Sequence, residues 1–171
     1  MGGEYPQPVF LDATVLSNFA SSNGIPGLTE VLETPAVVPA VRDEIGAGVN
    51  HGHVYLATAA GAVGEEIPVR TVPASEDRAA IRDRLDEGEA ESLLGVIEHG
   101  GTLATDDLAA RRVAKNRNIP VTGSVGLLVL AVEGDYLDSE TADEWLETWS
   151  DVRGYYAPVE TVSELLDDDS Q

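Results

Sequence analysis

Cysteine is absent from the 171-residue sequence, which excludes disulfide bonds, thiol nucleophiles and thiolate metal ligands. Long apolar runs are absent too, since no stretch approaches the roughly 20 residues that a membrane-spanning helix needs. The first residues, MGGEYPQPVF, lack the basic and apolar regions of a signal peptide. These absences lead us to expect a cytoplasmic protein that does not associate with membranes.

Positive charge is also scarce. Ten lysine and arginine residues stand against 31 aspartate and glutamate residues, the net charge is −21, and Lys115 is the single lysine. Such a charge destabilises a compact fold in dilute buffer by self-repulsion. Arginine in place of lysine, with abundant alanine, glycine, valine and threonine, resembles the composition of proteins from salt-loving archaea. Most acidic residues are therefore expected to form a solvated surface, so one carboxylate alone says little about function.

The chain is long enough for one domain, which we predict over residues 1–166, followed by an acidic disordered tail over 167–171. Short apolar runs alternate along it with amphipathic helical patterns. Strands are predicted over 8–11, 36–39, 67–72, 102–105 and 119–121. Helices are predicted over 13–20, 26–32, 40–49, 51–64, 75–85, 88–97, 108–118, 123–132, 139–149 and 159–166. This alternation predicts an α/β fold, a three-layer α/β/α sandwich around a central, mostly parallel sheet.

Four acidic residues take positions that a parallel sheet would bring to one edge. Asp12 and Asp107 follow predicted strands, and Glu44 and Glu89 lie on helices that follow strands. Ligands of open α/β sheets bind at the carboxyl ends of the strands. Carboxylates gathered there cannot all stay ionised unless a cation neutralises them. An all-oxygen site favours Mg²⁺ or Mn²⁺, so the pattern predicts a metal-dependent phosphodiesterase.

Each of these acidic residues also has a purely structural interpretation. Asp12 and Asp107 could cap the helices that follow them. Glu44 could belong to the solvated surface, and Glu89 could be an ordinary first-turn acid. The residues alone leave these alternatives open.

The one concentration of basic residues lies on the predicted helix 108–118. Arg111 and Lys115 are four residues apart and share a face of it. They could contact RNA phosphates, or they could only pair with neighbouring acidic residues. On a later helix, Trp145 and Trp149 are also four residues apart, which is typical of core or dimer contacts.

Several segments together resemble PIN-domain ribonucleases. Residues 9–16 resemble the opening of that family, in which a strand ends in an acid followed by a small hydroxyl residue and a leucine. Residues 41–45, 89–90 and 105–107 resemble the segments that carry its second, third and fourth acids. Residues 121–124, with the leucine-rich helix after them, resemble the subgroup with a Gly-Glu-Ala-Glu motif. The resemblance covers roughly residues 8 to 135.

The resemblance implies a PIN-like fold and an endoribonuclease that depends on Mg²⁺ or Mn²⁺. It implies Asp12, Glu44, Glu89 and Asp107 as catalytic residues, and Asp12, Glu89, Asp106 and Asp107 as metal ligands. It also implies kinship with VapC-type toxins, hence RNA as substrate and an antitoxin protein as partner, and we expect a homodimer. The alternative is a catalytically silent PIN-like module that acts through protein association.

The third acid is ambiguous, because Glu91 competes with Glu89. The two lie on opposite flanks of the apolar stripe of their helix. We therefore expect only one of them to face a given metal ion. We favour Glu89, because Glu89-Ala90 matches the Asp-Ala pair of the family.

The excess of surface acid predicts that salt stabilises the protein. Molar KCl shortens the Debye length to about 3 Å and screens the self-repulsion. We expect the free energy of unfolding, measured by chemical denaturation, to rise steadily from dilute buffer to molar KCl. A flat or falling dependence would show that the acidic residues are not an adaptation to salt.

Overall fold

The architecture is an α/β fold around a four-stranded parallel sheet in the order β2-β1-β3-β4. It is seen in a computed structural model that describes residues 5–74 and 77–169. The strands are β1 (Val9–Leu11), β2 (Pro35–Ala36), β3 (Thr102–Ala104) and β4 (Val121–Thr122). Helices flank the sheet, so the predicted fold class is confirmed.

The helices follow the predicted alternation with the strands. Within the described residues, no helix is both long and apolar enough to cross a membrane. A single turn of 3₁₀ helix, Val54–Leu56, precedes the fourth α-helix. The α-helices are α1 (Ala13–Ser21), α2 (Ile25–Val31), α3 (Pro39–Asn50), α4 (Ala57–Ala62), α5 (Asp77–Arg82), α6 (Glu87–His99), α7 (Leu108–Asn116), α8 (Ser124–Glu133), α9 (Ser139–Arg153) and α10 (Ser163–Asp169).

Strand β1 is the centre of the core. Its three residues are fully buried between β2 and β3, as parallel strands covered by helices on both faces should be. Phe10 packs on α6 at Gly95, where an added Cβ would lie only 2.8 Å from the ring. The backbone N–H of Asp12 donates to Ala104 at 2.9 Å, which continues the β1–β3 pairing one residue past the strand. This fixes Asp12 at the carboxyl edge of the sheet.

Two sequence predictions in the segment 51–72 are wrong. The predicted helix 51–64 is interrupted, because α3 ends at Asn50 and Gly52 has a φ of +97°, outside the helical region. The predicted strand 67–72 is reduced to isolated bridges, Val37 with Val69 and Val63 with Ile67. Pro68 has no N–H and cannot donate a strand hydrogen bond. Its carbonyl oxygen accepts a hydrogen bond from the N–H of Val37 at 3.0 Å.

The last helix also differs from its prediction. It was expected over 159–166, yet α10 begins at Ser163 and continues to Asp169, into the stretch predicted as a disordered tail. Residues 170–171, and Ser75 and Glu76 at the predicted start of the helix 75–85, lie outside the described residues. The single-domain boundary at residue 166 stays a prediction.

Trp149 packs in the core, as one of the two sequence interpretations had it. Its ring is fully buried against Phe19, with centroids 5.1 Å apart, and its Nε1 donates to Ser22 Oγ at 3.0 Å. Trp145 is half-buried and meets Phe19 edge-on at 6.1 Å. These contacts join α9 to α1, and a role of either ring in a dimer stays a prediction.

Gly101 allows β1 and β3 to begin side by side, and its replacement by alanine should destabilise the fold. Its φ is +101°, and an added Cβ would overlap the carbonyl oxygen of Pro8. We expect Gly101→Ala to lower the free energy of unfolding by more than about 2 kcal/mol, from backbone strain and the clash together. The matched control is Gly52→Ala, which has a similar φ of +97° but nothing within 4 Å of the added Cβ. Equal losses in the two variants would contradict the role of the close approach.

Candidate metal and catalytic site

Asp12 is nearly completely buried, with 3% of its surface exposed. Its Oδ1 accepts from the N–H of Ala13 at 2.8 Å, and its Oδ2 accepts from Thr105 Oγ1 at 2.7 Å. Burial raises the pKa of Asp12 to about 6, with smaller contributions from the charges of Asp86 and Glu44, against the lowering effect of its two hydrogen bonds. This carboxyl therefore favours its neutral form far more than an ordinary aspartate does.

Glu89 lies in the first turn of α6, where it forms a capping box with Asp86. The N–H of Glu89 donates to Asp86 Oδ1 at 2.9 Å, and Glu89 Oε2 accepts from the N–H of Asp86 at 3.3 Å. Burial, followed by the charges of Asp86, Asp107 and Asp12, raises the pKa of Glu89 to about 8. The carboxylates named here are therefore close enough to repel one another appreciably.

Glu44 reaches the same group from α3. Burial, followed by the charge of Asp86, raises the pKa of Glu44 above its usual value. Its carboxylate lies beside Gly88 in the first turn of α6, since a Cβ there would be 3.1 Å from Glu44 Oε1 and 3.5 Å from Val41 Cγ2.

Asp107 is the N-cap of α7, and its Oδ2 accepts from the N–H of Ala110 at 2.8 Å. Its own N–H donates to Thr105 Oγ1 at 3.2 Å, so one threonine links Asp12 and Asp107. Asp12 and Asp107 thus cap helices and also belong to the acidic group. The capping role of these two residues is observed, and it is compatible with the predicted catalytic role.

The structure brings the four acidic residues predicted as catalytic into one electrostatically linked group at the carboxyl edge of the sheet. It adds Asp86, which the sequence reasoning did not select, although Asp-x-x-Glu before an apolar helix was the signal for it. In the described part of the chain, the side chains as oriented do not form a group of three or more acidic or histidine residues that could hold a metal ion. We call Asp12, Glu44, Asp86, Glu89 and Asp107 the acidic cluster.

Asp106 has different surroundings. Its Oδ1 accepts from the N–H of Ser124 at 2.8 Å and from Tyr155 Oη at 3.5 Å. Its Oδ2 accepts from Ser124 Oγ at 2.5 Å and from Asn18 Nδ2 at 3.4 Å. Both oxygens are taken up in joining the β3–α7 turn to α1, α8 and the segment after α9. This geometry gives Asp106 a positioning role and offers no support for the predicted role as a metal ligand.

Glu91 is directed away from the acidic cluster. It is largely buried, its Oε2 lies 3.7 Å from Arg78 of α5, and its Oε1 accepts from the N–H of Ala40 at 3.4 Å. Glu91 therefore holds α6 to α3 and α5. This placement agrees with the preference for Glu89 as the third acid.

Only one of the two basic residues predicted to contact RNA is directed into the cleft beside the cluster. Arg111 donates to the carbonyl of Thr105 at 3.0 Å and lines that cleft, whereas Lys115 is exposed farther along α7 and is not among the residues lining it.

Arg153 at the end of α9 lines the cleft as well. It donates to Asn18 Oδ1 at 2.8 Å and to Tyr55 Oη at 3.1 Å. No local pattern in the sequence pointed to Arg153, because its partners lie far away in the chain.

The cleft has a volume of about 1020 Å³. Carboxylates, the two arginines and aromatic rings share its walls, the acidic side chains being Glu89, Asp106 and Asp107. Pockets of roughly 300–1,000 Å³ hold small-molecule ligands, so the space can take a nucleotide-sized group beside the acidic cluster.

The fold defines the class of open parallel α/β proteins, whose ligands bind at the carboxyl ends of the strands, and the acidic cleft lies at that edge. Comparison with known families narrows the class, since a family model described as PIN domain matches residues 8–170. The chain belongs to the PIN-domain family. PIN domains are generally nucleases, that is, hydrolases of nucleic acids. No curated protein and no solved structure matches the chain.

The raised pKa values predict that the metal-free protein loses stability as the pH rises. A carboxyl whose pKa is higher in the folded state binds its proton more tightly there, so the folded state is favoured below that pKa. Between about pH 4 and pH 8, the range set by the usual and raised pKa values of Asp12 and Glu89, the free energy of unfolding should fall. Denaturation in chelator across this range measures it.

The matched variants for this pH series are Asp12→Asn and Asp43→Asn. Asparagine can keep the bond from Ala13 but carries no charge, so Asp12→Asn should raise the free energy of unfolding at pH 8 by about 1–2 kcal/mol and flatten the slope. Asp43 is exposed and paired with Arg42 at 3.0 Å, so Asp43→Asn should leave the slope unchanged. The same slope in all three proteins would show that Asp12 is not the group that titrates.

Proposed function

We propose that this protein is a metal-dependent endoribonuclease that hydrolyses RNA phosphodiester bonds at the acidic cluster. The observation that carries the proposal is the set of raised pKa values at the carboxyl edge of the sheet. Burial of these carboxyl groups and the repulsion among them disfavour their charged forms, and a cation bound there would stabilise those forms. Perturbed carboxyl groups at a cleft are typical of functional sites, and membership of a family of nucleases supplies the reaction class.

The chemistry of the donors fits a hard divalent cation. Asp12, Glu89 and Asp107 would hold Mg²⁺ or Mn²⁺, since carboxylate oxygens are the ligands that these ions prefer. Glu44 and Asp86 add negative charge beside them. Glu89 is engaged in the capping box, so ligation would compete with its bond to the Asp86 N–H. When bound, such a cation supplies the positive charge that neutralises the cluster and attracts a phosphodiester.

The surrounding residues of the chain would orient the reacting groups. Thr105 holds Asp12 by its hydroxyl and accepts from the Asp107 N–H, so the two carboxylates keep a fixed relation. Glu44, whose pKa is raised, would accept a proton from the water molecule that attacks phosphorus. Arg111 lies on the cleft wall with a guanidinium that can pair with a phosphate oxygen.

The finer predictions made from the sequence and from the resemblance belong to this proposal. They are a VapC-like toxin role, an antitoxin partner, a homodimer, a cytoplasmic location and a halophilic source. Lys115 is exposed on α7 and would contact RNA outside the cleft. The second candidate is a catalytically silent module. It is favoured by one observation: among the described residues, no three acidic or histidine side chains are arranged to hold a metal ion.

Substitution of the acidic cluster tests the proposed activity. With Mn²⁺ and molar KCl, we expect wild-type protein to cut an RNA that has both paired and unpaired segments. Asp12→Asn and Asp107→Asn should each reduce cleavage more than about 100-fold, because the cation would lose a ligand. Asparagine is a good N-cap, so α1 and α7 should still form. Gel analysis of a labelled RNA measures the rate.

The matched control is again Asp43→Asn, which removes an exposed carboxylate one residue before Glu44 and should cut at the wild-type rate. Chelator should abolish all cleavage. Cleavage that survives chelator, or that is equal in the Asp12 and Asp107 variants, would contradict the proposal. A folded wild-type protein that cuts no RNA with either metal would favour the silent module.

A further inference from the structure

The segment that follows α9, residues 154–158, forms part of the cleft wall and is anchored by Arg153 and Tyr155, on either side of Gly154. Gly154 ends α9 with a φ of +66° and turns the chain. Just before it, Arg153 is bonded to Asn18 and Tyr55. Just after it, the Tyr155 ring packs edge-on against Trp149, at 5.8 Å, and its hydroxyl donates to Asp106. The wall is therefore held in place by contacts with α1, α9 and the β3–α7 turn.

Tyr156 projects from this anchored wall with 95% of its surface exposed. Tyr155, by contrast, is half-buried and packs inward against Trp149. Tyr156 lines the same cleft as Glu89 and Asp107, and Leu108, 76% exposed, lines it too. The cleft thus combines carboxylates with an exposed aromatic ring and an exposed leucine.

The charge of the protein makes such an apolar contact important for binding a polyanion. Most affinity for nucleic acid ordinarily comes from basic residues that neutralise phosphates. Here the chain carries a net charge of −21, and the described cleft lining holds Arg111 and Arg153 among several acids. Stacking of bases on aromatic rings does not depend on net charge, since it uses the face of the base.

We propose that Tyr156 is a base-stacking residue, which binds an unpaired nucleobase of the RNA beside the acidic cluster. The proposal rests on the proposed function for the identity of the ligand. Leu108 would give apolar contact to the same or the neighbouring base. The tyrosine would then determine where an RNA strand lies relative to the cleaved bond, and would favour unpaired segments, because a base within a duplex does not expose its face.

Binding of a short labelled RNA tests the proposal without requiring cleavage. The background is Asp107→Asn, with Mn²⁺, and the probe is a single-stranded oligoribonucleotide compared with its duplex. Adding Tyr156→Ala should weaken single-strand binding roughly 5- to 100-fold, the range for loss of one stacked base. Tyr156→Phe should stay within about twofold, because it keeps the ring. A set of oligonucleotides, each lacking the base at a different position, should contain one member that binds more weakly than the others. This difference should be seen with Tyr156 present and should be absent in Tyr156→Ala.

The matched control is Tyr136→Ala, which removes a tyrosine that is 50% exposed and not among the residues lining the cleft.

In otherwise wild-type protein, Tyr156→Ala should raise the KM for single-stranded RNA much more than it lowers kcat. Unchanged RNA binding by Tyr156→Ala would overturn the proposal. This holds even if the variant changes self-association or binding to another protein. If wild-type protein cuts no RNA but binding depends on Tyr156, the proposed catalytic function fails while the stacking site stands.

Discussion

Burial, followed by repulsion among carboxylates at the carboxyl edge of the sheet, raises the pKa of Asp12 to about 6 and that of Glu89 to about 8. Such crowding persists only where the surrounding structure is rigid enough to prevent the groups from moving apart. Strand β1, fully buried between two neighbours, supplies that rigidity on one side. Glu91 supplies it on the other, because its carboxylate joins α6 to Ala40 of α3 and to Arg78 of α5. The fold therefore stores unfavourable electrostatic energy at one place, which a bound cation would relieve.

The same carboxylates also begin the helices that surround the site. Asp12 caps α1, Asp107 caps α7, and Asp86 with Glu89 caps α6. Each helix N-terminus carries partial positive charge and free N–H groups, so it stabilises the ionised carboxylate that it meets. Helix caps thus offset part of the repulsion in the cluster. Capping and metal binding are compatible roles for these residues, because a carboxylate has more lone pairs than one backbone N–H occupies.

Acidic residues serve different purposes in different parts of this protein. The exposed ones add to a net charge of −21, whereas Glu91 and Asp106 join structural elements through bonds to Arg78, Ala40, Ser124 and Asn18. In the acidic cluster, by contrast, the charges of neighbouring members add to the effect of burial and raise the pKa of Asp12, Glu44 and Glu89. Arg111, Arg153 and Tyr156 line the same cleft as Glu89 and Asp107, and they provide the groups that would contact a phosphate and a base. The chemistry of the cleft depends on this contrast between its lining residues.

Local patterns in the sequence determined the α/β class, the parallel sheet and the four acids at its edge, because helix caps, apolar periodicity and strand ends involve residues close in the chain. They misplaced the segment 51–72, where Gly52 and Pro68 override periodicity. The tertiary structure alone decided that Asp106 bonds to Ser124, 18 residues away, and that Arg153 bonds to Asn18, 135 residues away. It also decided which carboxyls are buried and repelled. Burial and long-range hydrogen bonds depend on how distant elements pack, and no local spacing encodes that.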